Sequence, residues 1–322
     1  LVRQVIEFKS SAPAPALEGL AEAFQESVAE ALALLEPMGL RLLPTAMHPW
    51  MDPARETRLW PGENRRVYRT FDRIFGCAGH GWANLQSAHL NLPFGDEEEF
   101  RRLHAAIRPL LPLLPALAAS SPVVEGRATG FLDTRLRYYK ANQRILPSIA
   151  GAVVPEAVDS AADYRERILG RIYAEIAPLD PEGILRHEWL NSRGAIARFS
   201  RGSIEIRLLD IQEHPGADLA VLAAVSEAVR ALAAERWVPL ERLQRLSTER
   251  LAALLGECVR AGEAARVEEP ELLAGVGLEP GTPRTAGEIW RHLAAELPIP
   301  GSFHPSLRRS EERRVGKECR SR

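Results

Sequence analysis

Charged side chains alternate with aliphatic ones in the segment "RGSIEIRLLD", which runs from Arg201 to Asp210. Successive side chains of a strand point to opposite faces, so Glu205 and Arg207 share one face while Ile204 lies on the other. A carboxylate can hold a divalent cation, and a guanidinium group can bind phosphate or carboxylate through two parallel hydrogen bonds. The pattern also fits a half-solvated strand with a surface ion pair, and one strand alone does not separate the two.

Two more segments repeat this alternation. In "VIEFK", Glu7 and Lys9 share a face opposite apolar side chains. In "AHLNL", His89 and Asn91 do the same. We therefore expect three strands that each bury one apolar side and present one polar side.

The segment "RGAIARFSRGSIEIRLLD" predicts a β-hairpin with "RG" at its turn. A two-residue loop would pair Ser200 with Ser203 and place Arg198 opposite Glu205, on the polar face. The predicted polar face collects groups that suit metal ions, phosphate or carboxylate: Glu7, His89, Asn91, Arg198, Glu205 and Arg207. A salt-bridged face exposed to water is the alternative.

Helices must position these strands. Apolar residues at spacings of three and four predict a helix in "ALEGLAEAFQESVAEALALLEP". Asp96 is a candidate N-cap of a second helix, which Pro109, Pro112 and Pro115 should kink or break. A third helix is predicted in "DTRLRYYKANQR", and from about Pro215 the chain is almost wholly helical. The sequence therefore predicts an α+β protein on an antiparallel or mixed sheet, with a mostly helical C-terminal third.

The composition is that of an ordinary globular protein. The chain has 322 residues, of which 46% are hydrophobic and 26% charged. No run approaches 18 apolar residues and no secretory pattern opens the chain, so we expect neither membrane insertion nor export. Cys77, Cys258 and Cys319 lack metal-ligand spacing, and a reducing cytoplasm fits them best.

Several common catalytic motifs are absent. The sequence contains no GxGxxG, no P-loop and no GxSxG elbow. The "HEW" at His187 lacks the second histidine of a zinc protease, and Cys77 near His80 is more often a buried thiol than a nucleophile. His48, which precedes a proline, is more often structural when considered alone.

Five segments of the chain together resemble a known protein family. The segments "VIEFK", "MHPW", "AHLNLPFG", "LLPALAASSPVVEGRATGFLDTR" and "GSIEIRLLD", in this order, resemble the type 2 glutamate-cysteine ligase family of carboxylate-amine ligases. The resemblance covers roughly Leu1 to Glu213. It implies a curved antiparallel sheet of the glutamine-synthetase type, whose concave face binds ATP, Mg²⁺ and an acidic substrate.

The resemblance also implies a reaction. The γ-phosphoryl group of ATP would pass to a carboxylate, most simply that of glutamate, and an amine such as cysteine would then displace phosphate. A ligase of another acid or amine, and a non-catalytic binding module, are the alternatives. Small molecules are the expected partners, and the mildly acidic body of the chain argues against nucleic acid.

Matched residue by residue, the resemblance implies roles for nine side chains. Glu7 and Glu205 correspond to metal-binding carboxylates, and Arg207 to an arginine that faces the phosphoryl group or the substrate carboxylate. Arg198, which faces the site from the hairpin, is a second candidate catalytic residue. The residues implied to bind ATP or substrate are His48, His89, Asn91, Arg135 and Asn191. Asn91 replaces a common family histidine, and Arg135 fits an arginine on a helix surface equally well.

The two ends depart from the family pattern. Family members carry an earlier Glu-x-Glu strand, and none precedes Leu1, so we expect residues 1–308 to form a ligase domain without its first strand. An open sheet edge would leave room for a homo-oligomer. Residues 309–322, "RSEERRVGKECRSR", resemble a translated sequencing adapter, and we expect them to be an assembly artefact and not part of the fold. A natural basic tail is the alternative.

Overall fold

The computed structural model describes residues 2–142 and 144–301, and the structural statements below concern these residues. The predicted tail at 309–322 lies outside them. The α-helices are α1 Leu20–Leu35, α2 Pro53–Glu56, α3 Arg65–Phe75, α4 His80–Ala83, α5 Glu97–Leu110, α6 Leu114–Ala118, α7 Thr134–Ala141, α8 Ala161–Tyr164, α9 Arg171–Ile176, α10 Pro215–Ala233, α11 Leu240–Gln244, α12 Thr248–Ala261, α13 Pro270–Gly275 and α14 Ala286–Glu296. The strands are β1 Ser87–Pro93, β2 Val123–Val124, β3 Arg127–Ala128, β4 Ala195–Arg198, β5 Ser203–Asp210, β6 Arg266–Val267 and β7 Arg284–Thr285. The α+β prediction is confirmed.

An antiparallel sheet in the order β1-β5-β4 lies at the centre of the fold. The aliphatic side of β5 forms as predicted, because Ile204, Ile206 and Leu208 are each at most 1% exposed. Helices α5 and α6 pack against β5, and α10 packs against α5. The larger curved sheet that the resemblance implies is not confirmed, because the described residues form this three-stranded sheet and two sheets of two strands each.

The hairpin between β4 and β5 forms, but its register differs from the prediction. Arg198 pairs with Ser203, and Ile196 pairs with Glu205. A single turn of 3₁₀ helix over Phe199–Arg201 lengthens the loop, which explains the shift of two residues. Since side chains alternate with a period of two, this shift leaves Arg198 on the same face as Glu205.

A β-bulge lies in β5 beside the polar side chains. Ala88 pairs with Leu209 and Leu90 with Ile206, so β5 has one residue more than β1 between these pairs. At the bulge, the two residues Arg207 and Leu208 of β5 lie opposite the single residue His89 of β1. Bulges interrupt the hydrogen-bond ladder and redirect a side chain, and here that side chain belongs to Arg207.

The prediction of a strand in "VIEFK" is wrong. Residues 5–10 have no regular structure, and only Val2 forms an isolated bridge, with Leu59. Alternation is stable as a strand only where a sheet edge supplies hydrogen bonds and the apolar side is covered. Here Ile6 remains 47% exposed. Glu7 is therefore exposed in an irregular segment.

The predicted helices form where their terminal signals lie. The Asp96 side chain accepts a hydrogen bond from the Glu99 backbone N–H at 2.8 Å, which caps α5. Beyond Pro109 the helix gives way to a 3₁₀ turn over Leu111–Leu113 before α6 begins, as the prolines predict. Asp133 caps α7 in the same way as Asp96 caps α5.

The C-terminal third is helical as predicted. It ends in α14, whose Trp290 Nε1–H donates to the Leu113 carbonyl at 2.8 Å and so connects it to the centre of the fold. Within 2–142 and 144–301, no helix combines the length and the apolar character needed to cross a membrane.

Candidate functional site

Three strands bring five of the predicted residues together. Asn91 of β1 lies directly opposite Glu205 of β5, and Arg198 of β4 lies on the same face. We call this set the polar face: His89, Asn91, Arg198, Glu205 and Arg207.

Glu205 lies at the centre of the polar face. Its side chain is 8% exposed, and its Oε2 accepts a hydrogen bond from Arg198 Nη1 at 2.7 Å. Its Oε1 lies 3.1 Å from Arg207 Nε and 3.5 Å from His89 Nδ1. The carboxylate is thus enclosed by two guanidinium groups and an imidazole, which gives it partners for both oxygens.

The two arginines bring more positive charge to the polar face than Glu205 neutralises. Arg207 Nε faces Glu205 Oε1 at 3.1 Å, whereas the Nε of Arg198 is buried and forms no hydrogen bond to any described residue. Arg207 Nη1 also donates weakly to the Asn191 carbonyl, at 3.4 Å. Two cations against one carboxylate leave a net positive charge, so the polar face favours an anionic ligand such as phosphate or carboxylate.

His89 is held neutral. Desolvation lowers its pKa to about 3, and the guanidinium groups of Arg207, Arg135 and Arg198 act in the same direction. The ring retains one solvent-accessible edge, with 36% of the side chain exposed. Its Nε2 lies 2.8 Å from the Ser87 hydroxyl. At neutral pH His89 therefore takes part in hydrogen bonds and adds no charge.

Arg135 lies in the interior and not on a helix surface. It is 1% exposed, and its Nε donates to the Asp210 carboxylate. Asp210 also accepts from the Ser120 backbone N–H and the Ser121 hydroxyl, each at 2.8 Å. The segments "ASSP", "LDTR" and "RLLD" are brought together in this buried network.

Asn191 reaches the polar face through its backbone alone. Its Nδ2 donates to the Tyr164 hydroxyl at 2.8 Å, and its Oδ1 accepts from Arg193 Nη1 at 3.1 Å. Arg193 in turn forms a two-point ion pair with Glu156, at 2.6 and 2.7 Å. The Asn191 side chain is therefore occupied by the interior, and its carbonyl contacts Arg207.

His48 belongs to a different cluster. Its backbone N–H donates to Asn84 Oδ1 at 2.6 Å, and Asn84 Nδ2 donates back to the His48 carbonyl at 3.0 Å. Asn84 Nδ2 also lies 3.1 Å from His80 Nδ1, whose other ring nitrogen lies 3.3 Å from Glu125. The contacts that hold His48 are structural, and the Nδ1 of its exposed ring accepts from the Trp50 backbone N–H at 3.3 Å.

The described residues do not form a complete metal site. No group of three or more His, Cys, Asp or Glu side chains in this part of the chain is arranged to hold an ion. Of the two predicted metal carboxylates, Glu7 is exposed in an irregular segment and Glu205 is paired with arginines. The donor set fits an anion better than it fits a protein-held cation.

Sequence reasoning missed the buried groups that support the polar face. Asp210, Ser120, Ser121 and Asp133 were not predicted as part of the site, although their segments carry the resemblance. Their signal is the occurrence of small hydroxyl and acidic residues between buried aliphatic runs, which is hard to assign without the fold. The β5 bulge has no comparable sequence signal.

The described residues define an α+β protein with a cationic face on an antiparallel sheet. The model of Glutamate-cysteine ligase family 2 (GCS2) matches residues 1–273. The chain therefore belongs to this family of carboxylate-amine ligases.

Several individual relatives match the chain, and some of them carry names that agree with this assignment. An Archaeoglobus fulgidus protein named "Uncharacterized protein" is 38% identical over 274 residues, which are 85% of this chain and 71% of that protein. A Nocardioides sp. protein named "Putative glutamate--cysteine ligase 2-1" is 32% identical over 46% of this chain and 35% of its own length. A Rubrobacter xylanophilus protein named "Putative glutamate--cysteine ligase 2-3" is 29% identical over 74% of this chain and 59% of its own. The alignments thus span less than two thirds of the relatives that carry an enzyme name.

Proposed function

We propose that the protein is an ATP-dependent carboxylate-amine ligase that joins the γ-carboxylate of glutamate to an amine, with cysteine as the first candidate. The observation that carries the proposal is the polar face, where the two guanidinium groups of Arg198 and Arg207 enclose the single carboxylate of Glu205 and leave a net positive charge. Family membership supports the same reaction class.

The proposed reaction has two steps. A substrate carboxylate oxygen attacks the γ-phosphorus of ATP, so the bond to the β-phosphate breaks and ADP leaves with an acyl phosphate remaining. The amine nitrogen then attacks the acyl carbon, an amide forms, inorganic phosphate leaves and the amine loses a proton. Both steps develop charge on phosphoryl oxygens, which guanidinium donors in a partly buried site stabilise.

The position of each residue on the polar face indicates its role in the proposed reaction. Arg207, redirected by the bulge, would bind the transferred phosphoryl group or the substrate carboxylate, with Arg198 on the other side of Glu205. His89 and Asn91 would contribute neutral hydrogen bonds at the edge of the face. Mg²⁺ enters this proposal as the ion that accompanies ATP, and none of these tasks depends on a metal held by the protein.

The sheet itself is part of the proposal. We propose that β1, β5 and β4 belong to the curved sheet of the glutamine-synthetase type that the family resemblance implies. The polar face would then be a section of its concave, substrate-binding side. The free, buried thiols of Cys77 and Cys258 are consistent with a reducing cytoplasm.

The first test follows phosphate release from ATP and Mg²⁺ with panels of acids and amines. Amine-dependent release is expected, with Arg207→Ala lowering the rate by roughly 100-fold or more because a transition-state donor is lost. Arg201→Ala, at an exposed position in the hairpin loop, is the control and should leave the rate unchanged. No amine-dependent release across a broad panel would overturn the proposal and favour a binding module, whereas release with another pair of substrates would identify a related ligase.

Glu205 separates a metal-ligand role from an arginine-partner role. Glu205→Gln removes the carboxylate that competes with the phosphates of ATP for Arg198 and Arg207. In EDTA, where ATP carries no Mg²⁺, the variant should therefore bind ATP about fivefold more tightly, although its turnover falls. Isothermal titration with and without Mg²⁺ measures both conditions. Weaker binding that occurs only with Mg²⁺ would instead identify Glu205 as a ligand of the nucleotide-bound ion.

A further inference from the structure

We propose that Arg135 is a positioning residue and not a substrate contact: through Asp210 it fixes the part of β5 that follows the bulge, and thereby sets the orientation of Arg207. This inference rests on the proposed function. It concerns a residue on α7 and a network beneath the polar face.

The bulge creates the need for such an anchor. Regular pairing of β5 with β1 is interrupted at Arg207 and Leu208, while on the other side the Arg207 backbone N–H still donates to the Gly194 carbonyl at 2.9 Å. The ladder therefore holds this part of β5 from one side only. Asp210 lies three residues beyond Arg207, and pairs with Ser87. Its backbone position therefore decides how the strand leaves the bulge.

Three donors hold the Asp210 carboxylate. They are the Ser120 backbone N–H, the Ser121 hydroxyl and Arg135 Nε. The Ser121 hydroxyl also accepts from the Arg135 backbone N–H at 3.1 Å. Both the side chain and the backbone of Arg135 therefore form hydrogen bonds within the network around Asp210. The pair of Asp210 and Arg135 is fully buried, at 0% and 1% side-chain exposure, which makes loss of either partner costly.

A second buried acid, Asp133, lies beside Asp210. Asp133 is fully buried, and burial together with Asp210 raises the pKa of its carboxyl well above the usual value. Asp133 Oδ1 accepts from the Leu136 backbone N–H at 2.8 Å, as the cap of α7. The raised pKa favours the neutral form of Asp133, and the ion pair in this network joins Arg135 to Asp210.

The network reaches the polar face at two points. One is Arg207 itself, through the strand. The other is Ser87, opposite Asp210, whose hydroxyl lies 2.8 Å from His89 Nε2. Because Arg135 is only 1% exposed, it lies beneath the surface that a substrate would contact.

The test compares variants of Arg135 in the ligase assay, with rates expressed per folded protein. Arg135→Met should lower kcat by about 100-fold while the KM values for ATP and acid change less than threefold, since misplacement of a catalytic group affects the reacting geometry. Arg135→Lys, which keeps the charge, should recover part of kcat. Arg137→Met is the matched control, because Arg137 is exposed on the same helix.

A double variant tests whether the two residues act as a unit. Arg135→Met combined with Asp210→Asn should be no slower than the slower single variant. A tenfold or greater rise in one KM with kcat kept would overturn the proposal in favour of substrate contact. Equal kcat per folded molecule in Arg135→Met and the unmodified protein would overturn it in favour of a purely structural pair.

Hydrogen exchange provides a readout that does not need activity. Arg135→Lys should accelerate exchange of backbone amides at residues 207–210 relative to residues 203–206 of the same strand. Uniform exchange along β5 in this variant would contradict the anchor. If the unmodified protein is inactive in the ligase assay and Arg135→Lys still accelerates exchange at residues 207–210, the proposed function fails while the anchor of β5 stands.

Discussion

Single residues of this fold gain their properties from burial and from one or two neighbours. Asp218, in the first turn of α10, is the clearest case outside the polar face. Its carboxylate accepts from the Gln212 backbone N–H at 2.9 Å, and burial raises its pKa from 3.8 to about 7. The nearby Glu213 acts in the same direction. An acid in this setting is most stable in its neutral form.

We expect stability to depend on pH through Asp218. The folded pKa is raised, so its contribution is fully present below about pH 3.8 and is lost as pH rises through about 7. Asp218→Asn cannot ionise, and it should gain about 2–4 kcal/mol relative to the unmodified protein between pH 4.5 and 8. Urea unfolding at a series of pH values measures this difference, with Glu26→Gln on α1 as a control for the loss of one charge. A difference that stays constant across the range would contradict the assignment.

Elements follow the sequence where their signals are local. The Asp96 cap and the aliphatic side of β5 were predicted, because each depends on side chains within a few residues. The hairpin register was not, since it depends on a 3₁₀ turn that holds the backbone of Gly202 at φ 57°. The strand predicted in "VIEFK" failed because alternation does not tell whether a neighbouring strand exists.

The turn can be tested at its glycine. Gly202→Ala places a side chain in the left-handed region, and its Cβ would lie 3.2 Å from the Phe94 carbonyl. We expect a loss of about 1–2 kcal/mol in the free energy of unfolding, because left-handed backbone is costly for other residues. Gly281→Ala, which meets no atom within 4 Å, is the control. Equal stability of the two variants in urea would show that the loop relaxes and does not fix the register.

The whole molecule decides which polar side chains meet, and this is where sequence reasoning reached its limit. Alternation placed His89, Asn91, Arg198, Glu205 and Arg207 on one face, and the structure brings them together. The face on which each side chain lies could be predicted although the hairpin register was wrong, because a register shift of two residues leaves every side chain on the same face of the sheet. Partners distant in sequence, such as Arg135 with Asp210, required the fold, since 75 residues separate them.

The extent of the folded unit also exceeds the family match. The match ends at residue 273, yet α14 contributes buried Ile289, Trp290 and Leu293 to the central core. The Trp290 indole N–H donates to Leu113, between α5 and α6. We infer that the C-terminal helix is needed for cooperative folding, whereas residues 309–322 are expected not to belong to the domain.

Two truncations test this division. Ending the chain at residue 308 should change the thermal midpoint by no more than about 1 °C. Ending it at residue 283 should abolish cooperative unfolding, because several large core side chains are lost. The loss of a buried tryptophan side chain alone costs about 3–5 kcal/mol of stability. Circular dichroism on heating and urea titration by tryptophan fluorescence measure both, and Trp290→Phe, which keeps most of the volume, provides an intermediate variant. A cooperative transition in the shorter chain would show that the core is complete without α14. A large drop on removing residues 309–322 would show that this tail belongs to the native protein.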